Sequence, residues 1–337
     1  MRMAPLLALL ALAAPAAAQS GTPRSGERML VVANKQDATA SLIDPRSGTT
    51  VATLPTGTGP HEAAVSHDGR WAVVSDYGDR TPGGTLTVID LDSRTVARKI
   101  DLSPHRRPHG VAFLPGDRTL AVTSESSQAV LMVDFASGAV TAIPTGQAGS
   151  HMLAVSPDGA TIYTANVGGG SVTRIDIATK EARTVSVAPR TEGIGLSADG
   201  AQVWVGSNDQ NTVTVLDART LAALDTLPAP GLPYRVNGGG RWMVVSNPMN
   251  STVRVFDAAS RAQVAEIRIP LDPARAVPQA QGSAGPVGGV VTADGATAYI
   301  ALQGMNAVAE IDLVRHTVVR VLPTGAGPDG IALAVRR

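Results

Sequence analysis

Residues 150–176 read SHMLAVSPDGATIYTANVGGGSVTRID, and this stretch decides the fold. Alternating apolar residues mark one strand, a tight Asp158-Gly159 turn, a second strand ending at Asn166, a Gly-rich turn, and a third strand ending at Asp176. Glycine at the turns supplies backbone angles that other residues resist. The unit is a β-meander, and it recurs along the chain. An Asp closes an apolar strand at Asp44, Asp90, Asp134, Asp176, Asp217, Asp257 and Asp312, at successive intervals of 46, 44, 42, 41, 40 and 55 residues. Seven copies near this period predict an all-β, seven-bladed β-propeller with four antiparallel strands per blade. A β-sandwich would not repeat the same Asp and Asp-Gly marks at one period.

The phase of the repeat predicts how the ring closes. GIALAV at residues 330–335 matches the innermost strand of a blade and has no successor; MLVVAN at residues 29–34 matches the next strand and has no predecessor. Together they should complete one blade, with the C-terminal strand innermost, so that no sheet edge is left open. Residues 1–18 are set apart from the propeller at 29–337. Arg2, the apolar run at residues 6–13 and Ala16, Ala17 and Ala18 have the form of a secretory signal removed before Gln19, with a polar lead-in at 19–28. No apolar run is long enough to span a bilayer. With no cysteine in its 337 residues, an exported chain must be held by packing alone, which points to a bacterial periplasm, with secretion as the other destination. The 28 basic and 28 acidic residues balance, and the only lysines are Lys35, Lys99 and Lys180, so a nucleic-acid-coating surface is disfavoured. The expected state is a monomer.

The repeats IYTANVGGGSVTRIDIATKEARTV, RPHGVAFLPGDRTLAVTSE and GPDGIAL resemble the YVTN family of seven-bladed propellers, which includes periplasmic proteins of the YncE type. The likeness runs over residues 29–335. It implies export and a binding or scaffold role, in one member with single-stranded DNA, and it says more of architecture than of function. PHEAAVSHDGRWAVVSDYGDR at residues 60–80 is locally similar to propeller lactonases.

Function in propellers concentrates where the loops entering the innermost strands meet the central channel. Side by side these loops are GPHEAAV, RPHGVAF, GSHMLAV, RTEGIGL, LPYRVN, GPVGGVV and GPDGIAL, which place His61, His109, His151, Glu192, Tyr234, Val287 and Asp329 at one ring position. Half of the six histidines fall there. Three imidazoles with a carboxylate, His61, His109, His151 and Glu192, could hold Zn, Cu, Fe or Ni; the same groups could equally line a polar funnel without metal. Arg107, Arg190 and Arg235, with Arg106 and Arg275 nearby, could receive an anionic ligand. Strand alternation would turn Glu62 and Arg235 away from the channel, into interblade packing. Two insertions, 77–84 and 271–286, should emerge on the same face as the ring, as a lid or a docking surface for a partner.

Other marks read as structural. The Asp-Gly pairs at Asp68, Asp158, Asp199 and Asp294 form hairpins. The period-marking aspartates hold turns, and Trp71, Trp204, Trp242, Tyr163 and Tyr299 fill the spaces between blades. Residues 167–170 are Gly-rich but open no helix, so they cradle no phosphate, and no nucleophile elbow is present. The expectation is a binding or interaction module for a small anionic ligand or a protein. The alternative is an enzyme with a His-ring site, either a metal-dependent oxidoreductase or hydrolase or a lactonase-like hydrolase.

Overall fold

The structure is a computed structural model that describes residues 26–337. The expected signal segment at residues 1–18 and the part of the lead-in before residue 26 lie outside the described residues. Seven four-stranded antiparallel sheets form the ring. Six are sequential meanders. The remaining one pairs Pro328–Val335, innermost, with Arg28–Asn34 in a register running from Arg28↔Val335 to Asn34↔Pro328. The chain is closed by its own last strand, as the repeat phase required. The blades are numbered here by their innermost strands: Pro328–Val335 in blade 1, Pro60–Val65 in blade 2, Pro108–Phe113 in blade 3, Ser150–Val155 in blade 4, Thr191–Leu196 in blade 5, Arg235–Gly239 in blade 6 and Pro286–Val291 in blade 7.

Why these residues make blades is visible in burial. Middle strands such as Thr161–Asn166 are buried on both faces, because each sheet is packed between two others. Outermost strands such as Thr49–Pro55 and Ala182–Ser186 meet solvent and stay largely polar. Seven apolar clusters fill the gaps; one joins Trp204 to Phe256 and Met243 of the next blade. Tyr163 donates its hydroxyl to the Ala218 carbonyl one blade on, 2.9 Å away.

The repeated polar marks act locally. The aspartate that ends each third strand accepts a backbone N–H from the turn that follows, as Asp44 does from Arg46, Asp176 from Thr179 and Asp257 from Ser260. At or near the end of the second strand, Asn34 and Asn166 each donate to two hydroxyls of the third strand, and Asp76 accepts from Thr85 and Thr87. These bonds satisfy side chains that burial would otherwise strand. The Asp-Gly hairpins lie at the opposite end of the sheets from the ring, with the glycines at positive φ, for example Gly159 at 71°. The insertion at 77–84 departs from the expected long loop. Strands Trp71–Gly78 and Pro82–Asp90 continue into it, with Gly78 paired to Pro82, so it is a rigid hairpin tip. Among the described residues, no helix is long and apolar enough to cross a membrane.

Candidate functional site at the channel mouth

The ring position sits on a β-bulge. In six blades the pairing of the innermost strand slips here, so His61 and Glu62 together face Ser75, and His109 and Gly110 together face Thr123. The freed N–H groups are caught by second-strand hydroxyls, Glu62 N–H by Ser75 at 3.0 Å and Gly110 N–H by Thr123 at 2.8 Å. A bulge re-aims side chains, and strict alternation ends at it. Glycine often follows the ring residue because adjacent innermost strands nearly touch there. A Cβ on Gly288 would lie 2.0 Å from the Asp329 carbonyl, and one on Gly330 would lie 2.4 Å from that of His61.

Blades 2 and 6 carry Glu62 and Arg235 instead of glycine. These two blades are not neighbours, yet Arg235 Nη2 and Nε reach Glu62 Oε1 at 2.7 and 3.1 Å, both side chains buried. The pair therefore crosses the channel. The alternation rule, which sends both residues into interblade packing, fails at each: Glu62 sits on the bulge, and Arg235, whose strand pairs without a slip, is the first residue of its strand.

From this pair a chain of polar contacts runs around the channel. Arg235 Nη1 lies 3.3 Å from Glu192 Oε1, and Asn208 donates to the other Glu192 oxygen. His151 Nε2 is 3.5 Å from Glu192 Oε1, an ion-pair distance, while its Nδ1 is hydrogen-bonded to Glu125. Glu125 in turn accepts from the Tyr77 hydroxyl at 2.6 Å. The series Tyr77, Glu125, His151, Glu192, Arg235, Glu62 thus passes through blades 2, 3, 4, 5 and 6 and returns to blade 2.

The rings form a second, overlapping series. Ring centroids are 4.2 Å apart for His61 and Tyr77, 4.9 Å for His61 and His109, and 3.7 Å for His109 and His151. The Arg107 guanidinium covers Tyr77 from outside at 4.8 Å. The three imidazoles titrate apart. Burial lowers His61 to about 4, despite the pull of Asp329. Burial, reinforced by the charges of His151 and His61, takes His109 well below its ordinary value. Burial also opposes charge on His151, but the hydrogen bonds of Glu125 and Glu192 outweigh it and raise its pKa. Those two carboxyls are correspondingly lowered against their own burial. Burial raises Glu62, with Asp329 adding to the rise against the pull of Arg235. Arg235 is held firmly charged by Glu62 and the surrounding acids, although burial alone would lower it.

Two members of the ring lack hydrogen-bond partners. Both nitrogens of His109, 1% exposed, and both carboxylate oxygens of Asp329, 0% exposed, make no hydrogen bond; the nearest cation to Asp329 is Lys35 Nζ at 3.8 Å. His61 uses Nδ1 on the Gly59 carbonyl at 2.8 Å.

Of the residues the sequence proposed for the site, His61, His109, His151, Glu192 and Arg235 are joined in this network. Tyr234 lies against Arg235, 4.4 Å from its guanidinium carbon, and Asp329 stands beside Lys35. Arg107 reaches the rim through Tyr77. Arg190 is not brought in: it is exposed and pairs with Asp209 at 3.4 Å. Arg275 pairs with Asp272 within its own loop. Among the described residues, no group of three or more His, Asp or Glu side chains is arranged as a metal ion would require. Lys35, Tyr77, Glu125 and Asn208 were not foreseen. Each follows directly on the same second-strand position, Asn34, Asp76, Ser124 or Ser207, which ends the strand in three of the blades and lies two residues short of its end at Gly78 in blade 2, so these segments, read side by side, would have revealed them.

Comparison with known proteins bears on the fold alone. Of 1544 solved chains that match, one is a functionally unknown protein from Desulfotomaculum acetoxidans DSM 771, with a TM-score of 0.74 and 17% identity over 92% of this chain and 99% of that one. No family model matches the chain, and no curated protein does.

Proposed function

We propose that this chain is an exported, periplasmic propeller of the YVTN type that acts as a non-catalytic binding module, taking a small polar ligand at the channel mouth. The observation that carries the reading is that both nitrogens of His109 and both carboxyl oxygens of Asp329 are buried without a hydrogen bond, Asp329 having only the long ion pair with Lys35 at 3.8 Å. Burying a polar group without a partner costs about 1–3 kcal/mol, so stability alone gives no reason to place these groups here. The charge set also indicates the ligand. Arg235 is engaged by Glu62 and Glu192, Arg190 faces solvent, and Lys35 is already beside Asp329. Four carboxyls, of Glu62, Glu125, Glu192 and Asp329, meet three basic groups, of Arg235, His151 and Lys35. An anion finds no free buried donor of positive charge here, whereas an ammonium or a neutral N–H donor finds the Asp329 carboxylate. Export and the family assignment rest on the N-terminal signal pattern and the repeat.

The test is a thermal-shift screen of the mature, tag-free chain against matched panels of small amines and small carboxylates, with metal analysis of the same preparation. Stabilisation by an amine that is lost in Asp329→Asn and His109→Ala, and kept in Arg190→Ala, supports the reading. Preference for carboxylates, or stoichiometric Zn, Cu, Fe or Ni, overturns it in favour of an anion site or the enzyme alternative. Export is checked by N-terminal sequencing of the periplasmic fraction, where the chain should begin at Gln19.

A further inference from the structure

The insertion at 271–286 builds a second feature on the face that carries the ring. It does not stand free of the propeller. Val277 N–H donates to the Gly304 carbonyl at 3.0 Å, Gly304 N–H returns a bond to Ala284 at 3.0 Å, and Ala284 N–H donates to Ser251 Oγ at 2.7 Å. Ser283 donates to the Pro248 carbonyl of blade 6. A short turn at Pro278–Ala280 stiffens the middle of the insertion. The approach to blade 7 is close enough to require glycine, since a Cβ on Gly304 would lie 2.1 Å from the Ser283 carbonyl.

So anchored, the insertion walls a groove of about 210 Å³ between loops of blades 6, 7 and 1. Four of the ten glutamines of the chain line it, Gln36, Gln279, Gln281 and Gln303, together with Pro248 and Met249. No charged residue lines it. Met249 is 71% exposed, the thioether lying open at the rim. Gln281 holds a left-handed backbone conformation, φ 48°, which side-chain-bearing residues adopt at some cost.

From this groove we infer a docking site for an extended, uncharged peptide segment of a protein partner. A carboxamide donates and accepts at once, and so does each peptide unit of an extended chain, with one N–H and one C=O. Pro248 and Met249 supply apolar contact for a side chain, and methionine adapts its shape to what it meets. The absence of charge disfavours nucleic acid and charged peptides, whose ionic groups would go unmatched. The absence of an aromatic ring removes the stacking platform a sugar would use. This site is separate from the channel mouth and does not depend on it.

The experiment uses the mature full-length chain and an array of terminally blocked hexapeptides composed of uncharged residues. Matched arrays carrying Lys or Glu, and an array of neutral oligosaccharides, serve as comparisons, with hits titrated by fluorescence anisotropy. Uncharged peptides should bind best. Gln303→Ala and Gln279→Ala should each weaken them about two- to tenfold, as expected for loss of a hydrogen bond, and Met249→Glu should weaken them more than about tenfold by placing a charge against an apolar contact. Asp329→Asn should leave this binding unchanged, which separates failure here from failure of the channel reading. Gln279 and Met249 are exposed, so their variants should melt with the parent chain. No uncharged peptide binder, binding indifferent to the three groove substitutions, or a preference for charged peptides or oligosaccharides overturns the inference.

Discussion

Replacing Arg235 by Leu removes the one cation that Glu62 and Glu192 share across the channel, and it leaves both carboxylates buried. Breaking a buried pair from one side costs about 3–5 kcal/mol, because the stranded charge is not compensated. Unfolding entropy of about 2.1 cal/mol/K per residue over roughly 310 residues converts this into a Tm lower by about 5–8 °C. The deficit should depend on pH. Glu62, already raised by burial, loses the pull of Arg235 and rises further above the unfolded value of about 4.3, while Glu192 keeps His151 and Asn208. The Glu62 contribution is therefore favourable at low pH and is lost as pH rises through its folded value. Melting followed by circular dichroism should show the larger deficit at pH 7.5 and a smaller one at pH 5. Adding Glu62→Leu should recover part of the loss, since one of the stranded charges goes with it. A deficit below about 1 kcal/mol, or one equal at both pH values, would show that Arg235 does not hold the channel charges together.

The histidines should shape the pH profile of the parent protein from both sides. His61 falls from 6.5 to about 4, so its contribution, about 3 kcal/mol, is present above pH 6.5 and lost as pH drops towards 4. His151 is raised, so its contribution is complete below pH 6.5 and lost as pH climbs through its folded value. Tm measured against pH should flatten on the acid side in His61→Gln and on the alkaline side in His151→Gln. Deleting residues 329–337 removes the innermost strand of blade 1 and exposes an edge of Arg28–Asn34; loss of a cooperative melt or aggregation is expected, and a truncated chain that melts like the parent would contradict closure by this strand. Tyr163→Phe should cost about 1 kcal/mol in denaturant unfolding, because it leaves the Ala218 carbonyl without its donor from the neighbouring blade.

The fold was legible because its marks repeat. The aspartates from Asp44 to Asp312 recur at one period since each caps the same turn, and a constraint imposed seven times is readable from one sequence. The ring was legible for a related reason: seven equivalent loops, aligned by their strands, placed His61, His109 and His151 at one level. The failures are equally physical. A bulge adds one residue without altering composition, so nothing in PHEAAV announces that Glu62 turns inward. The contact of Glu62 with Arg235 spans 173 positions and exists only because the ring has closed to one diameter. Tyr77 and Glu125 come from the ends of second strands, where the residue type changes from blade to blade and no repeated mark sets them at the level of the ring.

What the ring does with its charges also divides the molecule. The contact series from Tyr77 to Glu62 ties blades 2 to 6, and each of its members bonds to a different blade, so no blade in that arc can shift without separating buried charges. Blade 7 contributes only Val287 at this level, and the Asp329 of blade 1 has its nearest cation in Lys35 of the same blade. Neither contributes a side chain to the belt; blade 7 is tied to blade 6 at this level through its backbone, Ser246 Oγ donating to the Val287 carbonyl at 2.6 Å. The groove walled by the insertion lies above this same sector, between blades 6, 7 and 1, and the seam between the first and last strands lies within it. A ligand charge at Asp329 would act on the sector that the belt leaves free, adjacent to the loop of Gln36 and Lys35 that borders the groove. The unmatched carboxylate and the uncharged groove therefore share one loop, residues 35–38. Lys35 touches the first and does not line the second, so Lys35→Ala should change amine binding at Asp329 and leave peptide binding in the groove unchanged.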